Sequence, residues 1–272
     1  MNKINIKLLL LATALLPLLF SCKESTEPTE TNLRIYVTDS PLPLEYIARA
    51  DVEIDKIEIK KSDESLGEPF VLVREENITI NLLDLRNGIK TTLADINAPA
   101  GNYKLIRMYV ASATITLTNG QKFNLDIPPD KIEIFVKPDF QISDDKITEL
   151  IIDFNLEKSF ELEGDPKDIG NIKGFKFHPV IRAANISECG VLKGSVKSET
   201  GTMLKNASVW LKDSDIEIIT YTDKNGSYTV LGVPLGIYDI YCDKDGYKET
   251  KKDDVSIEKG KVATVDFSLK AE

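Results

Sequence analysis

Thr114-Ile115-Thr116-Leu117-Thr118-Asn119-Gly120-Gln121-Lys122-Phe123-Asn124-Leu125 reads as two short strands joined by an Asn-Gly turn. Asn-Gly between β-prone flanks is the strongest short hairpin signal, because both residues tolerate the left-handed backbone that a two-residue loop needs. The neighbouring segments continue the pattern. Upstream, Tyr103 to Ala111 puts Ile106, Met108 and Val110 on one face and Leu105, Arg107 and Tyr109 on the other. Leu33, Ile35 and Val37 alternate and stop at Asp39-Ser40-Pro41. Val52 and Ile54 alternate, as do Ile57 and Ile59, but the phase slips at Asp55-Lys56, which predicts one bulged strand rather than two. Phe70 to Val73 and Ile78 to Leu82 are short strands before an Asn87-Gly88 turn, and Thr91 to Asp95 is expected as one helical turn. Downstream, Pro128-Pro129 breaks the run before strands at Ile132 to Val136, Leu150 to Phe154 and Phe175 to Arg182. Strands at this spacing without helical periods predict an all-β antiparallel sandwich over residues 33–184.

Residues 185–190 form a short linker, and a second all-β domain follows over residues 191–270. There Ala207, Val209 and Leu211 share a face, as do Tyr238, Ile240 and Cys242. Glu199-Thr200-Gly201, Asp223-Lys224-Asn225-Gly226 and Asp245-Gly246-Tyr247 are turns. The fold class expected is therefore two antiparallel β-sandwich domains in tandem.

The first domain carries an ordered set of pieces: Leu33 to Pro41, Asn81 to Leu85 with Asn87-Gly88, Ala100-Gly101-Asn102-Tyr103, Ile106-Arg107-Met108, Leu150 to Phe154 and Pro179-Val180-Ile181-Arg182. In this order and spacing they resemble domain of unknown function 4382, which is common in bacterial lipoproteins. That resemblance implies an architecture and no mechanism. The second domain carries Gly194-Ser195-Val196, Ala207 to Leu211, Thr222-Asp223 with Gly226-Ser227-Tyr228, Pro234 to Tyr238 and Gly246-Tyr247. It is similar to the carboxypeptidase regulatory-like domain, with Leu235 where the family often has a second proline. The resemblance implies a non-catalytic, seven-stranded, immunoglobulin- and transthyretin-like sandwich.

The N-terminal stretch decides location. Met1 to Lys7 carries two lysines and no acid, and Leu8 to Phe20 is apolar except for Thr13. A spanning helix needs about 20 apolar residues, so this run reads as a signal peptide over residues 1–21. Leu19-Phe20-Ser21-Cys22 resembles the bacterial lipobox, which implies cleavage before Cys22, a diacylglycerol on its sulfur and an acyl chain such as palmitate on its amine. Two or more chains hold a membrane stably where one does not. Residues 22–32 are a polar tether of roughly 35 Å reach. Lys23 does not meet the inner-membrane retention rule, and Glu24 resembles an export signal of Gram-negative bacteria. The expected location is the outer membrane, lipid-anchored and displayed at the cell surface.

Loss of Lys3 and Lys7 with the signal peptide takes the formal charge from −10 to −12, which excludes a nucleic-acid partner. No cofactor or metal is expected. His178, the only histidine, has no second ligand near it. Asp223 to Gly226 and Asp243 to Gly246 echo the start of a calcium loop but lack its closing Glu. Arg107, Asp84 and Asp153 sit among apolar neighbours and form either a ligand clamp or, on the favoured reading, a structural ion cluster. Cys189 and Cys242 can pair as a disulfide or stay as buried thiols. Trp210, between inward Val209 and Leu211, points outward, as does Tyr241 between Ile240 and Cys242, and an exposed indole suits a sugar face. No catalytic constellation stands out. The function expected is a non-catalytic binding module whose partner is a glycan, or alternatively a structural or adhesive spacer that docks an envelope protein.

Overall fold

The computed structural model describes residues 31–40, 45–62, 69–127, 131–165, 168–212 and 217–272. Cys22, nearly all of the tether and Pro128-Pro129 lie outside the described residues. Asn32, assigned above to the tether, is buried and belongs to the first domain. Its side-chain amide donates to Ala98 O at 2.9 Å and its side-chain carbonyl accepts from Ala98 N at 2.8 Å.

The first domain holds twelve strands: β1 (Leu33–Ser40), β2 (Ile47–Lys61), β3 (Val71–Arg74), β4 (Ile78–Asn81), β5 (Thr91–Ile96), β6 (Gly101–Leu117), β7 (Lys122–Asn124), β8 (Ile132–Ile142), β9 (Thr148–Asn155), β10 (Phe160–Gly164), β11 (Ile172–Phe177) and β12 (Ile181–Asn185). Ten of them form one sheet whose path is β3-β2-β6-β8-β12-β9-β1-β5, with β4 on β2 and β7 on β6. The sheet curls until its two ends meet, where Arg74 Nη1 of β3 donates to Leu93 O of β5 at 3.0 Å. Its concave face buries Leu33, Ile35, Val52, Ile54, Ile57, Ile59, Ile106 and Met108 in one cluster. The phase slip in β2 is a bulge, with the register on β6 shifting between Ile54 and Lys56, so the inward set moves from Val52 and Ile54 to Ile57 and Ile59. The hairpin forms, with β6 and β7 paired and Gly120 at φ +87°.

Two expectations need correction. Thr91–Ile96 is strand β5, not a helical turn, because Leu93 and Ala94 are buried beside β1. The sheet is mixed, not purely antiparallel: β1 runs parallel to β9 and β12 parallel to β8. Local hairpins bias a sequence reading toward antiparallel pairs, whereas these neighbours are far apart in the chain. Beside the ten-stranded sheet, β10 and β11 pair as a separate two-stranded sheet.

The second domain holds β13 (Gly190–Ser198), β14 (Ser208–Lys212), β15 (Glu217–Tyr221), β16 (Ser227–Val233), β17 (Gly236–Asp243), β18 (Thr250–Ile257), β19 (Val262–Thr264) and β20 (Phe267–Leu269). One sheet is β15-β14-β17-β18, and the other is β16-β13-β19 with β20 also on β13. β19 and β20 both run parallel to β13, so they are one strand in two pieces and the count of seven holds in effect. The break falls at Val265, whose carbonyl accepts the buried Tyr228 hydroxyl at 2.6 Å. Gly194 lies against that carbonyl, and a Cβ there would collide with Val265 O and crowd the Tyr228 hydroxyl. Gly194→Ala should therefore cost about 2 kcal/mol or more of second-domain stability. Urea unfolding followed by Trp210 fluorescence measures it.

Candidate functional site

One guanidinium bridges the two domains. Arg182, on β12, donates from Nε to Asp153 Oδ2 at 2.8 Å, from Nη1 to Gly232 O at 2.7 Å and from Nη2 to Leu231 O at 2.9 Å. It thereby joins a buried acid of the first domain to two backbone carbonyls of the second. Beside it, Ile151, Ala184 and Cys189 form a small buried cluster with Tyr36, Ile186 and Leu231 against them. Gly232 has φ +63° and sits so close to Ile151 that a Cβ would meet its methyl at 2.8 Å. On the far side of the joint, Asn87 Nδ2 donates to Asp223 Oδ2 at 3.1 Å, and Lys158 pairs with Glu217.

Asp39 lies inside this joint. It is 5% exposed, and neither carboxylate oxygen has a hydrogen-bond partner. It shares a void of about 10 Å³ with Asp153 of the first domain and Thr220 and Thr229 of the second. Burial, then the nearby Asp153 charge, push its carboxyl well above the usual range, and Arg86 opposes the shift. Asp39 therefore holds its proton to higher pH than a solvated aspartate does.

Next to the joint the domains leave a cleft of about 560 Å³. Arg86, Asn87 and Ile89 line it from the first domain, and Lys205, Tyr221 and Lys224 line it from the second. Lys205 Nζ reaches Glu45 Oε1 at 2.6 Å and ties the two domains together. The Tyr221 hydroxyl is held above its ordinary pKa, first by burial and then by Glu157 of the first domain.

Trp210 and Tyr241 stand outside the cleft on the same sheet. They are directly opposed on β14 and β17, and their rings stack with centroids 5.4 Å apart and planes 13° from parallel. Both are half-buried. Tyr221 is opposite Ser208 and so shares the outward face, one diagonal step from Trp210. A row of three aromatics thus runs from the cleft wall to Tyr241, where Lys251 Nζ lies 6.0 Å from the ring centroid.

The remaining candidates separate. Arg107 pairs with Glu133 at 2.6 Å and Glu58 at 3.8 Å, Asp153 belongs to the Arg182 joint, and exposed Asp84 lines the cleft, so the three do not form one cluster. Cys189 and Cys242 are free and buried, which corrects the disulfide reading. Cys189 packs in the joint and Cys242 in the second core, and burial pushes the Cys242 thiol up to about 12. Asp223 Oδ1 accepts Asn225 N at 2.8 Å and Ser227 N at 3.0 Å, which is turn capping rather than a calcium loop. His178 is exposed, and no group of three His, Cys, Asp or Glu is placed to hold a metal among the described residues. Arg182, Asp39 and Tyr221 went unread in the sequence as site residues, although Arg182 and Asp39 stand within quoted family pieces.

Residues 30–179 match the family model described as Domain of unknown function (DUF4382). The chain belongs to the DUF4382 family. Residues 191–270 match the carboxypeptidase regulatory-like domain. No curated protein matches the chain. Among solved structures it is similar to the Bacillus anthracis TIE protein, at 12% identity over 90% of this chain and 40% of that one, with TM-score 0.27. It is similar to a streptococcal ancillary pilin, at 13% identity over 90% of this chain and 63% of that one, with TM-score 0.23. It is also similar to BcpA, the major pilin subunit of Bacillus cereus, at 12% identity over 88% of this chain and 69% of that one, with TM-score 0.26. The chain thus spans less than two thirds of the first two structures.

Two outcomes follow for the joint of the DUF4382 domain. Arg182→Met leaves the Asp153 charge buried without its cation and should cost about 3 kcal/mol. Calorimetry should then show two separate melting transitions where the unaltered chain shows one. Asp39 has a raised folded-state pKa, so its contribution is fully present below the unfolded value near pH 4 and is lost as pH rises through the folded value. Unfolding free energies measured across that range should fall with pH for the unaltered chain relative to Asp39→Asn.

Proposed function

We propose that the chain is an envelope-anchored, surface-displayed binding module that captures a glycan without acting on it. The observation that carries this reading is the outward aromatic row Tyr221, Trp210 and Tyr241, which leads out of the cleft between the two domains. Aromatic rings on a rigid sheet present apolar faces and edges to the C–H surface of a sugar at little entropic cost. The cleft supplies side-chain amides and charged groups within the same surface, the mix of few polar groups on an apolar wall that small-ligand sites use. Acylation at Cys22 would hold this module to the membrane, and the polar residues after it would give the module reach. This anchor is supported by the lipobox-like Leu19-Phe20-Ser21-Cys22 and by the basic and apolar residues before it.

A spacer that docks a partner protein is the second reading. The Arg182 joint favours it, because a fixed joint makes the two domains one rigid arm.

A glycan array probed with the unaltered protein and with Trp210→Ala tests the first reading. We expect at least one sugar class to bind and its signal to drop roughly tenfold in the variant, the effect of losing about 1.4 kcal/mol. Equal signals from both proteins, or no hit at all, would favour the spacer. For the anchor, Cys22→Ser should move the protein from the membrane pellet to the soluble fraction.

A further inference from the structure

The cleft carries a charge pattern unlike the chain around it. The chain has a formal charge of −10, yet Arg86, Lys205 and Lys224 line the cleft against Asp84 and Asp223. One of the two acids, Asp223, is already committed. Asp223 accepts from Asn87 Nδ2, Asn225 N and Ser227 N, whereas Asp84 is an exposed acid at the cleft. Lys205 is spent on Glu45. Arg86 and Lys224 hold no carboxylate in an ion pair among the described residues, although the Arg86 charge also acts on buried Asp39. Arg86 donates from Nε to Leu83 O at 2.7 Å, and its terminal nitrogens enter no ion pair among the described residues. Lys224 is exposed and has no ion pair among the described residues either. Two cations with no ion-pair partner among the described residues therefore face a cleft whose remaining lining includes the Tyr221 ring and the apolar Ile89, which is 57% exposed.

We propose that this cleft binds the acidic group of a short saccharide, a carboxylate or sulfate on a sugar ring, with Arg86 and Lys224 as its counter-charges. This rests on the glycan reading above and names the class of sugar. The planar guanidinium of Arg86 offers paired donors to the oxygens of a carboxylate or sulfate. The ammonium of Lys224 supplies a mobile point charge from the opposite domain. Ile89 and Tyr221 cover the apolar face of the ring. A volume of about 560 Å³ lies within the range of small-ligand pockets and suits a few sugar units. The acidic surface elsewhere repels long polyanions, so the site favours a short acidic unit.

Titration calorimetry of the intact protein with trigalacturonate and with a sulfated chondroitin disaccharide, against neutral cellotriose, tests this. At least one acidic sugar should bind, and binding should weaken as salt rises from about 0.05 M to about 0.5 M. Arg86→Gln with Lys224→Gln should lower its affinity at least tenfold, with the melting temperature unchanged within about 2 °C. Acidic and neutral sugars binding alike, or acidic binding that the double substitution leaves intact, overturns the proposal. If cellotriose binds in a Trp210-dependent way and neither acidic sugar does, the acidic cleft falls and the glycan reading stands. If none of the three binds while the array returns a Trp210-dependent hit, the outcome is the same. No binding in either experiment removes both.

Discussion

The guanidinium of Arg182 is the contact on which the arrangement of this chain depends. A buried aspartate such as Asp153 is costly unless a cation and hydrogen bonds satisfy it. Arg182 does so with one edge and uses the remaining nitrogens on the carbonyls of Leu231 and Gly232. Those carbonyls belong to the second domain, so the ion pair of the first domain is complete only when the two are docked. The apolar contribution of Ile151, Ala184, Cys189 and Leu231 adds to the same joint. Gly232, in the left-handed region and against Ile151, lets the backbone come that close.

The surfaces of interest follow from that docking. The cleft exists because the turn after Leu85 and the turn at Asp223 are brought side by side, with Asn87 donating across. Tyr221 becomes a cleft wall only because β15 faces the first domain near Glu157. From there the register of β14 with β15 and β17 carries the aromatic row outward to Tyr241. The joint also contains its own opposing element. Asp39 is buried with no partner for either oxygen, next to Asp153, and this costs stability that the Arg182 contacts offset. Buried polar groups of this kind couple domain docking to proton uptake.

Much of the fold was legible in the sequence. The bulge in β2, the Asn119-Gly120 hairpin, the core face of β6 and the outward placement of Trp210 and Tyr241 all follow from side-chain period and turn chemistry. What was not legible came from long-range pairing. Nothing local tells that β1 lies parallel to β9, or that the sheet ends meet at Arg74 and Leu93. Thr91 to Asp95 reads as a turn of helix, yet its place beside β1 makes it part of a strand. Of the candidate site only Trp210 and Tyr241 were legible. Arg182 and Asp39 stood in recognised family pieces, but their partners lie in the other domain, and a charge shows its role only once its neighbour is known. Arg107, Asp84 and Asp153 looked alike in the sequence for the same reason and proved to serve three separate places.

The central claim is that the two domains form one rigid body. Spin labels on cysteines introduced at Glu76 and Ile237, both well exposed and one in each domain, would report the distance across the joint by pulsed dipolar spectroscopy. The native thiols at Cys189 and Cys242 are buried and should stay unlabelled. A single narrow distance distribution is the result predicted by the Arg182 joint. A broad distribution, or several distances in exchange, would contradict it and with it the cleft.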